Sequence, residues 1–226
     1  MSGGHAGGAS MDGARGLAGE VARAAPSYLG GSSRDPRVIE ALARVDRAEF
    51  LPPAERPGAY VDAPIPIGGG QTCSQPSMVA FMVELLRLEP GHRVLEVGAG
   101  SGWATAIMAE LVRPGGFTCA CEILPGLAAA LLDRFAARRD IGVVAGDGSL
   151  GLPELPPWDR IVLSAGVRRG FDPERLVRRL APGGILLYPE AFGALIRITL
   201  DPRAPGDRRV ESWEGVRFVP LQGAAS

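Results

Sequence analysis

Between residues 76 and 189, short apolar runs alternate with longer segments of helical periodicity. The apolar runs are RVLEV (93–97), FTCACE (117–122), IGVVA (141–145), RIVLSA (160–165) and GILLYP (184–189). The intervening helices are predicted at about 76–88, 103–112, 124–139 and 172–180. Strands that are apolar on both faces and alternate with helices form a parallel sheet that is covered on both sides. The sequence therefore predicts an α/β fold with three layers and a doubly wound, mostly parallel sheet.

The flanking segments are predicted to extend this one domain. Residues 1–26 are rich in glycine and alanine and are expected to form a flexible tail. Residues 27–226 are expected to form one domain. Within it, residues 27–75 should form an N-terminal cap and lid of helix and loop, and residues 76–226 should form the cofactor-binding sheet with its edge strands. Two more extended segments, 195–200 and 216–221, flank a surface hairpin or loop and are expected at the sheet edge in undetermined order.

The composition excludes several classes of function. All 24 basic residues of the 226 are arginine. Without lysine the chain has neither a Schiff-base residue nor the phosphate-binding lysine of a P-loop. A net charge of -1 provides no long-range attraction to nucleic acid or anionic lipid. No apolar run approaches the roughly 20 residues that a membrane helix needs. We expect a cytoplasmic monomer that binds neither nucleic acid nor membranes.

The cysteines and histidines do not form a metal-binding pattern. Cys73, Cys119 and Cys121 are an odd number, which argues against a disulfide framework, and the last two share one face of a predicted strand. They are interpreted as small buried apolar residues. His5 lies in the expected tail and His92 precedes a strand, so no metal site is predicted.

A glycine-rich turn follows the first strand of the predicted sheet. The sequence VLEVGAGSGWATA places the turn residues Gly98, Ala99, Gly100, Ser101 and Gly102 directly before a helix. Glycine allows a tight turn and close approach of a ligand, and a helix start offers free amide groups. We therefore predict a nucleotide-like ligand here. The dinucleotide fingerprint G-x-G-x-x-G requires glycine where this chain has Trp103, which disfavours a pyrophosphate loop.

Polar residues follow the next two strands. Glu122 closes the second strand, followed by Ile123, and an acidic side chain there can accept hydrogen bonds from both ribose hydroxyls. Asp147 and Gly148 end the third strand, where a polar side chain can meet an adenine edge. Glu122 as a strand-end charge and Asp147 as a turn former remain alternative explanations, and the position of Glu122 does not separate NAD from S-adenosylmethionine. The order glycine turn, Glu, Gly-Asp-Gly is typical of a class I methyltransferase.

Over residues 35–221 the sequence resembles the protein-L-isoaspartate O-methyltransferases. The shared segments are PIPIGGGQTCSQP, VLEVGAGSGWATAIMAEL, GDGSLG, WDRIVLSA, LAPGGILLYP and VRFVPL. The first of them is the specific one, because methyltransferases at large lack it. The resemblance implies a Rossmann-like methyltransferase that uses S-adenosyl-L-methionine to methylate L-isoaspartyl residues in damaged proteins or peptides. Such methylation begins repair to aspartate through a methyl ester and a succinimide.

The resemblance also implies roles for particular residues. Ser74 matches the active-site serine of the family, and Cys73 stands where the family usually has isoleucine. The residues expected to wrap over the donor as a lid are Gln71, Thr72, Cys73 and Ser74. Gln222 is expected near the donor, at a position where some relatives carry threonine. Ala165 and Pro189, at the ends of the fourth and fifth strands, are expected with Ser74 on the acceptor side.

Two segments depart from the family pattern, and both lie on the acceptor side. They are SAGVRRGFDP (164–173) and YPEAF (188–192). Glu190 beside an acceptor carboxylate is unexpected unless it faces solvent or is compensated by Arg168. These departures leave open an aspartate carboxyl methyltransferase that acts on one dedicated biosynthetic peptide. An NAD-dependent oxidoreductase and a non-catalytic cofactor-binding module are remoter alternatives.

Carboxyl methylation requires none of the residue types that this chain lacks. A carboxylate with a pKa near 4 is already ionised at neutral pH and needs no general base. The protein has to orient one carboxylate oxygen and exclude water, which hydroxyls, amides and backbone groups can do. Ser74 is available for this task because Gln75, before Pro76, is the predicted N-cap of the following helix.

Overall fold

The structure, a computed structural model, describes residues 6–23, 35–204 and 206–224. The strands are β1 (Ile65–Gly68), β2 (Gln71–Cys73), β3 (Arg93–Val97), β4 (Phe117–Glu122), β5 (Ile141–Ala145), β6 (Trp158–Leu163), β7 (Leu180–Pro189), β8 (Phe192–Leu200) and β9 (Arg208–Arg217). The helices are α1 (Ala6–Arg23), α2 (Pro36–Arg44), α3 (Pro76–Leu86), α4 (Trp103–Val112), α5 (Pro125–Phe135) and α6 (Glu174–Val177). Two 3₁₀ turns, Arg47–Phe50 and Pro53–Gly58, follow α2.

The central sheet has seven strands in the order β5-β4-β3-β6-β7-β8-β9. The strands from β3 to β7 run parallel to their neighbours, and β8 and β9 are antiparallel. This confirms the predicted mostly parallel α/β sheet. Because β3 and β4 lie side by side and β6 flanks β3, their carboxyl ends meet at one edge, where such sheets bind ligands.

The two faces of the sheet are covered differently. On one face, residues such as Val94, Val162 and Leu187 pack with buried residues of α1 to α5. On the other face, Leu95 and Ile161 pack with α6 and neighbouring loops. The helix predicted at 172–180 is only the four-residue α6, because the chain from Leu180 onward already pairs in β7.

The N-terminal segment differs from the flexible tail expected over residues 1–26. Residues 6–23 form α1, which packs against α2 and α3. Ala14, Leu17, Ala18 and Val21 are all buried, and their spacing is that of one helix face. The packing of this face outweighs the low helix propensity of the glycines around it. Residues 1–5 and 24–26 of the expected tail lie outside the described residues.

The last strand was also predicted wrongly. Residues 208–217 form β9, although 201–215 were expected as a surface hairpin or loop, and 218–221 lie beyond the strand. β9 pairs with β8 from Leu200↔Arg208 to Phe192↔Arg217. Its side chains are mostly exposed, so the strand lacks the apolar alternation that would reveal it in the sequence. Backbone pairing and the Arg197–Glu211 ion pair hold it in place instead.

Candidate active site

The glycine turn after β3 is anchored to the end of β4. The amides of Gly98 and Ala99 donate to the Cys121 carbonyl at 2.8 and 3.1 Å. Gly98, Gly100 and Gly102 have φ values of 81°, 56° and 84°, which lie in the left-handed region that favours glycine. A Cβ added at Gly102 would lie 2.6 Å from the Cδ2 atom of Leu131, so this position also needs glycine for packing against α5.

Glu122 braces this turn from the end of β4. Its side chain is 5% exposed; Oε2 accepts from the Gly100 amide at 2.8 Å and Oε1 accepts from the Leu124 amide at 2.9 Å. Each carboxylate oxygen has a second lone pair, and Glu122 also lines a cleft. The carboxylate can therefore accept two ligand hydroxyls while it holds the turn.

Asp147, after β5, ties the C-terminal segment to the same edge. Its Oδ1 accepts from the Ser149 amide at 2.9 Å, and its Oδ2 accepts from the Ala224 amide at 2.7 Å. Burial raises the pKa of Asp147, but the hydrogen bonds from Ala224 and Ser149 outweigh it, and the net pKa is lowered. A Cβ added at Gly148 would lie 2.7 Å from the Cys121 Sγ, so the chain passes close to β4 here.

These groups share an open cleft, here called the first cleft, of about 510 Å³ including open solvent. Ten predicted site residues line it: Gln71, Thr72, Gly98, Gly100, Glu122, Ile123, Asp147, Gly148, Ala165 and Gln222. A cleft of this size can hold a nucleoside-sized ligand. Gly102 is not among its lining residues and serves instead as the N-cap residue of α4.

A second cleft continues from the first between α3, α4 and the glycine turn. Thr72, Gly98, Gly100 and Ser164 line both clefts, so the two spaces are contiguous. The other predicted site residues that line the second cleft are Cys73, Ser74, Ala99 and Ser101. Most of its remaining lining is apolar, with side chains from α3 and α4.

Glu96 is a polar member of the second cleft that the sequence interpretation missed. This side chain on β3 is fully buried and accepts hydrogen bonds from the Ser164 hydroxyl at 2.7 Å and from the Thr105 hydroxyl. Burial raises its pKa to about 7, although both hydroxyls act to lower it. The signal was available, because an acidic residue inside an otherwise apolar strand is costly without a role.

The predicted lid forms an antiparallel hairpin of β1 and β2. Ile65 pairs with Cys73, and Pro66 with Thr72. Arg47, which is 1% exposed, holds the end of β2 from behind by donating to the Cys73 and Ser74 carbonyls at 3.1 and 2.9 Å. Neither the role of Arg47 nor its contact with the lid was predicted, because the partners lie 26 and 27 residues apart in sequence.

Ser74 faces a third space, the edge groove, between the lid and the end of β9. The groove is lined by Pro64, Thr72, Ser74, Gln75, Met78, Phe192 and the segment 215–220. Gln75 is the N-cap residue of α3, as predicted, but the Asp62 carboxylate caps the helix by accepting from the Ser77 amide at 2.8 Å. Among the described residues, no group hydrogen-bonds the Ser74 hydroxyl, which is available to a ligand.

The two segments that depart from the family pattern meet beside this groove. The Val167 amide donates to the Pro189 carbonyl at 2.8 Å, and the Ala191 amide donates to the Val167 carbonyl at 2.9 Å. Pro189 is buried in β7 and does not line the described clefts or groove, so its predicted acceptor contact remains a prediction. The Glu190 carboxylate accepts from the Ala194 amide at 3.2 Å. The Glu190 side chain therefore folds back onto the β7–β8 hairpin.

Among the residues with described structure, no helix is long and apolar enough to cross a membrane. Within the same ranges, histidine, cysteine and acidic side chains do not gather in groups of three or more that could hold a metal ion. All three cysteines are free and buried, as expected for Cys119 and Cys121.

The sheet order, the glycine turn after β3 and the carboxylates after β4 and β5 define the class I methyltransferase fold with its cofactor cleft. The sequence model of the protein-L-isoaspartate(D-aspartate) O-methyltransferase family matches residues 29–226. The chain belongs to this family.

Individual relatives agree with this assignment. The chain is 46% identical over 193 residues to a protein-L-isoaspartate O-methyltransferase from Anaeromyxobacter dehalogenans, covering 83% of this chain and 90% of that protein. A relative of the same name from Methanopyrus kandleri is 44% identical over 197 residues, covering 85% and 86%.

Solved structures support the fold. A structure of a protein-L-isoaspartate O-methyltransferase matches with a TM-score of 0.77 at 24% identity, covering 92% of this chain and 66% of that one. A Plasmodium falciparum protein described as a beta-aspartate methyltransferase, in complex with S-adenosyl-L-homocysteine, matches with a TM-score of 0.74 at 23% identity, covering 92% and 98%.

Proposed function

We propose that this protein transfers a methyl group from S-adenosyl-L-methionine to the α-carboxyl group of L-isoaspartyl residues in proteins or peptides. The product is the methyl ester from which repair through a succinimide begins. One observation carries the proposal beyond family membership: Thr72 lines both clefts and the edge groove, and Ser74 lines the second cleft and the groove. The segment 72–74 therefore lies where a donor and an acceptor would meet.

The residues present fit the donor. Glu122 would accept hydrogen bonds from the ribose hydroxyls, and Asp147 would accept from the adenine amino group. The second cleft, which contains the Glu96 carboxyl, would hold the amino-acid end. A Cβ at Gly100 would lie 3.1 Å from the Ile67 Cδ1 atom of the lid, so glycine allows the turn and the lid to lie close together. The lid residues Gln71 and Thr72 border the same space.

The protein's part in the reaction is to position the reactants. When bound, S-adenosyl-L-methionine supplies a methyl group on a positively charged sulfur. The acceptor carboxylate is ionised at neutral pH and forms the new oxygen–carbon bond as the carbon–sulfur bond breaks, so no proton moves. The Ser74 hydroxyl would donate to one carboxylate oxygen and turn the other toward the methyl carbon. Such orientation can lower the barrier by about 7 to 11 kcal/mol, and the lid excludes water that would compete.

The decisive assay uses two peptides that differ only in the linkage at one residue. The purified protein is incubated with methyl-labelled donor and either an L-isoaspartyl peptide or the aspartyl peptide of the same sequence. We expect base-labile methyl ester on the isoaspartyl peptide alone. Absence of label on that peptide overturns the proposal. Label on the aspartyl peptide in preference would instead favour the aspartate carboxyl methyltransferase considered from the sequence.

A further inference from the structure

The edge groove beside Ser74 contains one charged side chain among its described lining residues, Arg217. The rest of the lining is apolar or neutral, and it includes Phe192, whose side chain is 72% exposed. Together with Met78, Val216 and Phe218 it forms a contiguous apolar lining, and an apolar patch rimmed by polar residues is typical of a binding surface. A partner that fits must therefore offer apolar contact together with a negative charge.

Arg217 and Phe192 act as a pair. They face each other across the first register position of the β8–β9 hairpin, and the Arg217 guanidinium carbon lies 5.5 Å from the centroid of the Phe192 ring. An arginine at this distance over an aromatic face is attracted by the ring. The contact holds the guanidinium at the rim of the groove without neutralising its charge.

Other arginines of the same hairpin are neutralised by carboxylates. Arg197 pairs with Glu211 at 2.5 Å, Arg209 pairs with Glu211 at 3.0 Å, and Arg208 pairs with Glu174. Among the described residues, no carboxylate lies within ion-pair distance of Arg217, whose guanidinium instead contacts the Phe192 ring. Its charge is therefore available to a ligand in the groove.

The nearby carboxylates are placed apart from the groove. Glu190 and Glu214 line a neighbouring surface pocket with Arg169, and Phe192 borders both that pocket and the groove. Glu190 is further engaged by the Ala194 amide. The edge groove thus retains the uncompensated positive charge of Arg217 near the proposed position of the acceptor carboxylate.

We propose that Arg217 and Phe192 select acceptor peptides that carry an acidic residue beside the isoaspartyl residue. This inference rests on the proposed function. Ser74 would take the isoaspartyl carboxylate, Arg217 would pair with the neighbouring carboxylate, and the ring of Phe192 would cover the apolar stem of that neighbour. Charge complementarity at an exposed rim changes affinity modestly, so the expected preference is about three- to fivefold.

The test compares two isoaspartyl peptides, one with glutamate beside the isoaspartyl residue and one with glutamine. Binding of each fluorescent peptide is measured by anisotropy in the presence of S-adenosylhomocysteine, and kcat/KM is measured separately. The wild type should bind the glutamate peptide about three- to fivefold more tightly at low salt. Screening at about 0.5 M salt should remove most of this preference.

Three variants separate the inference from general effects. Arg217→Gln should bind both peptides equally, and Arg217→Glu should prefer the glutamine peptide. Arg203→Gln is the matched control, because this exposed arginine lies in the turn at the opposite end of the hairpin, roughly 25 Å away. A wild type without preference, or an Arg217→Gln variant with the wild-type preference, overturns the inference. Binding preference without turnover would instead count against the proposed function alone.

Discussion

Arg47 donates a hydrogen bond to the Ser74 carbonyl across 2.9 Å and thereby joins the cap to the residue after β2 that carries the predicted catalytic hydroxyl. The same guanidinium donates to the carbonyls of Cys73, Ala59, Val61 and Ala63. Its central carbon lies 5.2 Å from the centroid of the Trp103 ring at the start of α4. One buried cation therefore connects the cap, the lid and the helix that follows the glycine turn.

Replacing Arg47 should loosen this junction. Arg47→Lys keeps the charge, but its ammonium has three donors and cannot reach five carbonyls, so buried acceptors lose their partners. We expect the free energy of unfolding to fall by about 3 kcal/mol, as measured by urea denaturation. Arg44→Lys, on the exposed face of α2, is the control and should change it by less than about 0.5 kcal/mol. Equal stabilities of the two variants would contradict the role assigned to Arg47.

Ser74→Ala should separate chemistry from donor binding. The hydroxyl is the group expected to orient the acceptor, and the loss of one positioned donor lowers kcat by about 100-fold or more. The dissociation constant for S-adenosyl-L-methionine, measured by calorimetry, should stay within about twofold of wild type. Ser212→Ala, at an exposed position of β9, should leave both quantities unchanged. Unchanged turnover in Ser74→Ala would remove Ser74 from the mechanism.

Glu122→Gln should weaken donor binding. The Glu122 oxygens accept from the Gly100 and Leu124 amides, and in the variant an amide NH₂ would face one of these N–H groups. The turn would lose a hydrogen bond that stabilises it, and the ribose would lose an acceptor. Together these losses should weaken the binding free energy of the donor by about 1 to 3 kcal/mol. The dissociation constant, measured by calorimetry, should rise about 5- to 150-fold. Glu40→Gln, in an exposed pair with Arg44, supplies a comparison expected to bind like the wild type.

Glu96 should make stability depend on pH near neutrality. Its folded pKa is about 7, above the ordinary value of 4.5, so between these values the folded state keeps a proton that the unfolded state releases. The contribution of Glu96 to the free energy of unfolding is therefore complete below pH 4.5. It decreases by about 3 kcal/mol as the pH rises through 7.

Glu96→Gln removes this titration. The amide can donate to one neighbouring hydroxyl and accept from the other, as the protonated acid does. The stability of Glu96→Gln relative to wild type, measured by urea denaturation, should increase by about 3 kcal/mol between pH 4.5 and 8. Parallel pH profiles of the two proteins would show that Glu96 does not titrate in this range.

Much of the cofactor-binding half was predictable from the sequence. The strands β3, β4 and β5 and the helix α4 have the predicted bounds. Glu122 and Asp147 were predicted because acidic residues at strand ends follow a glycine turn in a regular order, and both line the first cleft. These features depend on residues that are close together in the chain, so their periodicity or spacing is visible in the amino-acid sequence.

Other parts of the site depend on contacts that no local pattern encodes. Arg47 reaches carbonyls up to 27 residues away, and the Ala224 amide reaches Asp147 across 77 residues. Phe192 and Arg217 meet because β9 pairs with β8, and β9 has little apolar alternation by which it could be recognised.

The sequence alone determined the parallel α/β class, the glycine turn and the family resemblance, because these follow from short-range periodicity, backbone freedom of glycine and ordered motifs. Only the tertiary structure decided that α1 packs as a helix, that Arg47 supports Ser74 and that Arg217 stands at the rim of a groove. The physical reason is that burial, ion pairing and hydrogen-bond partners are set by segments distant in sequence that packing brings together.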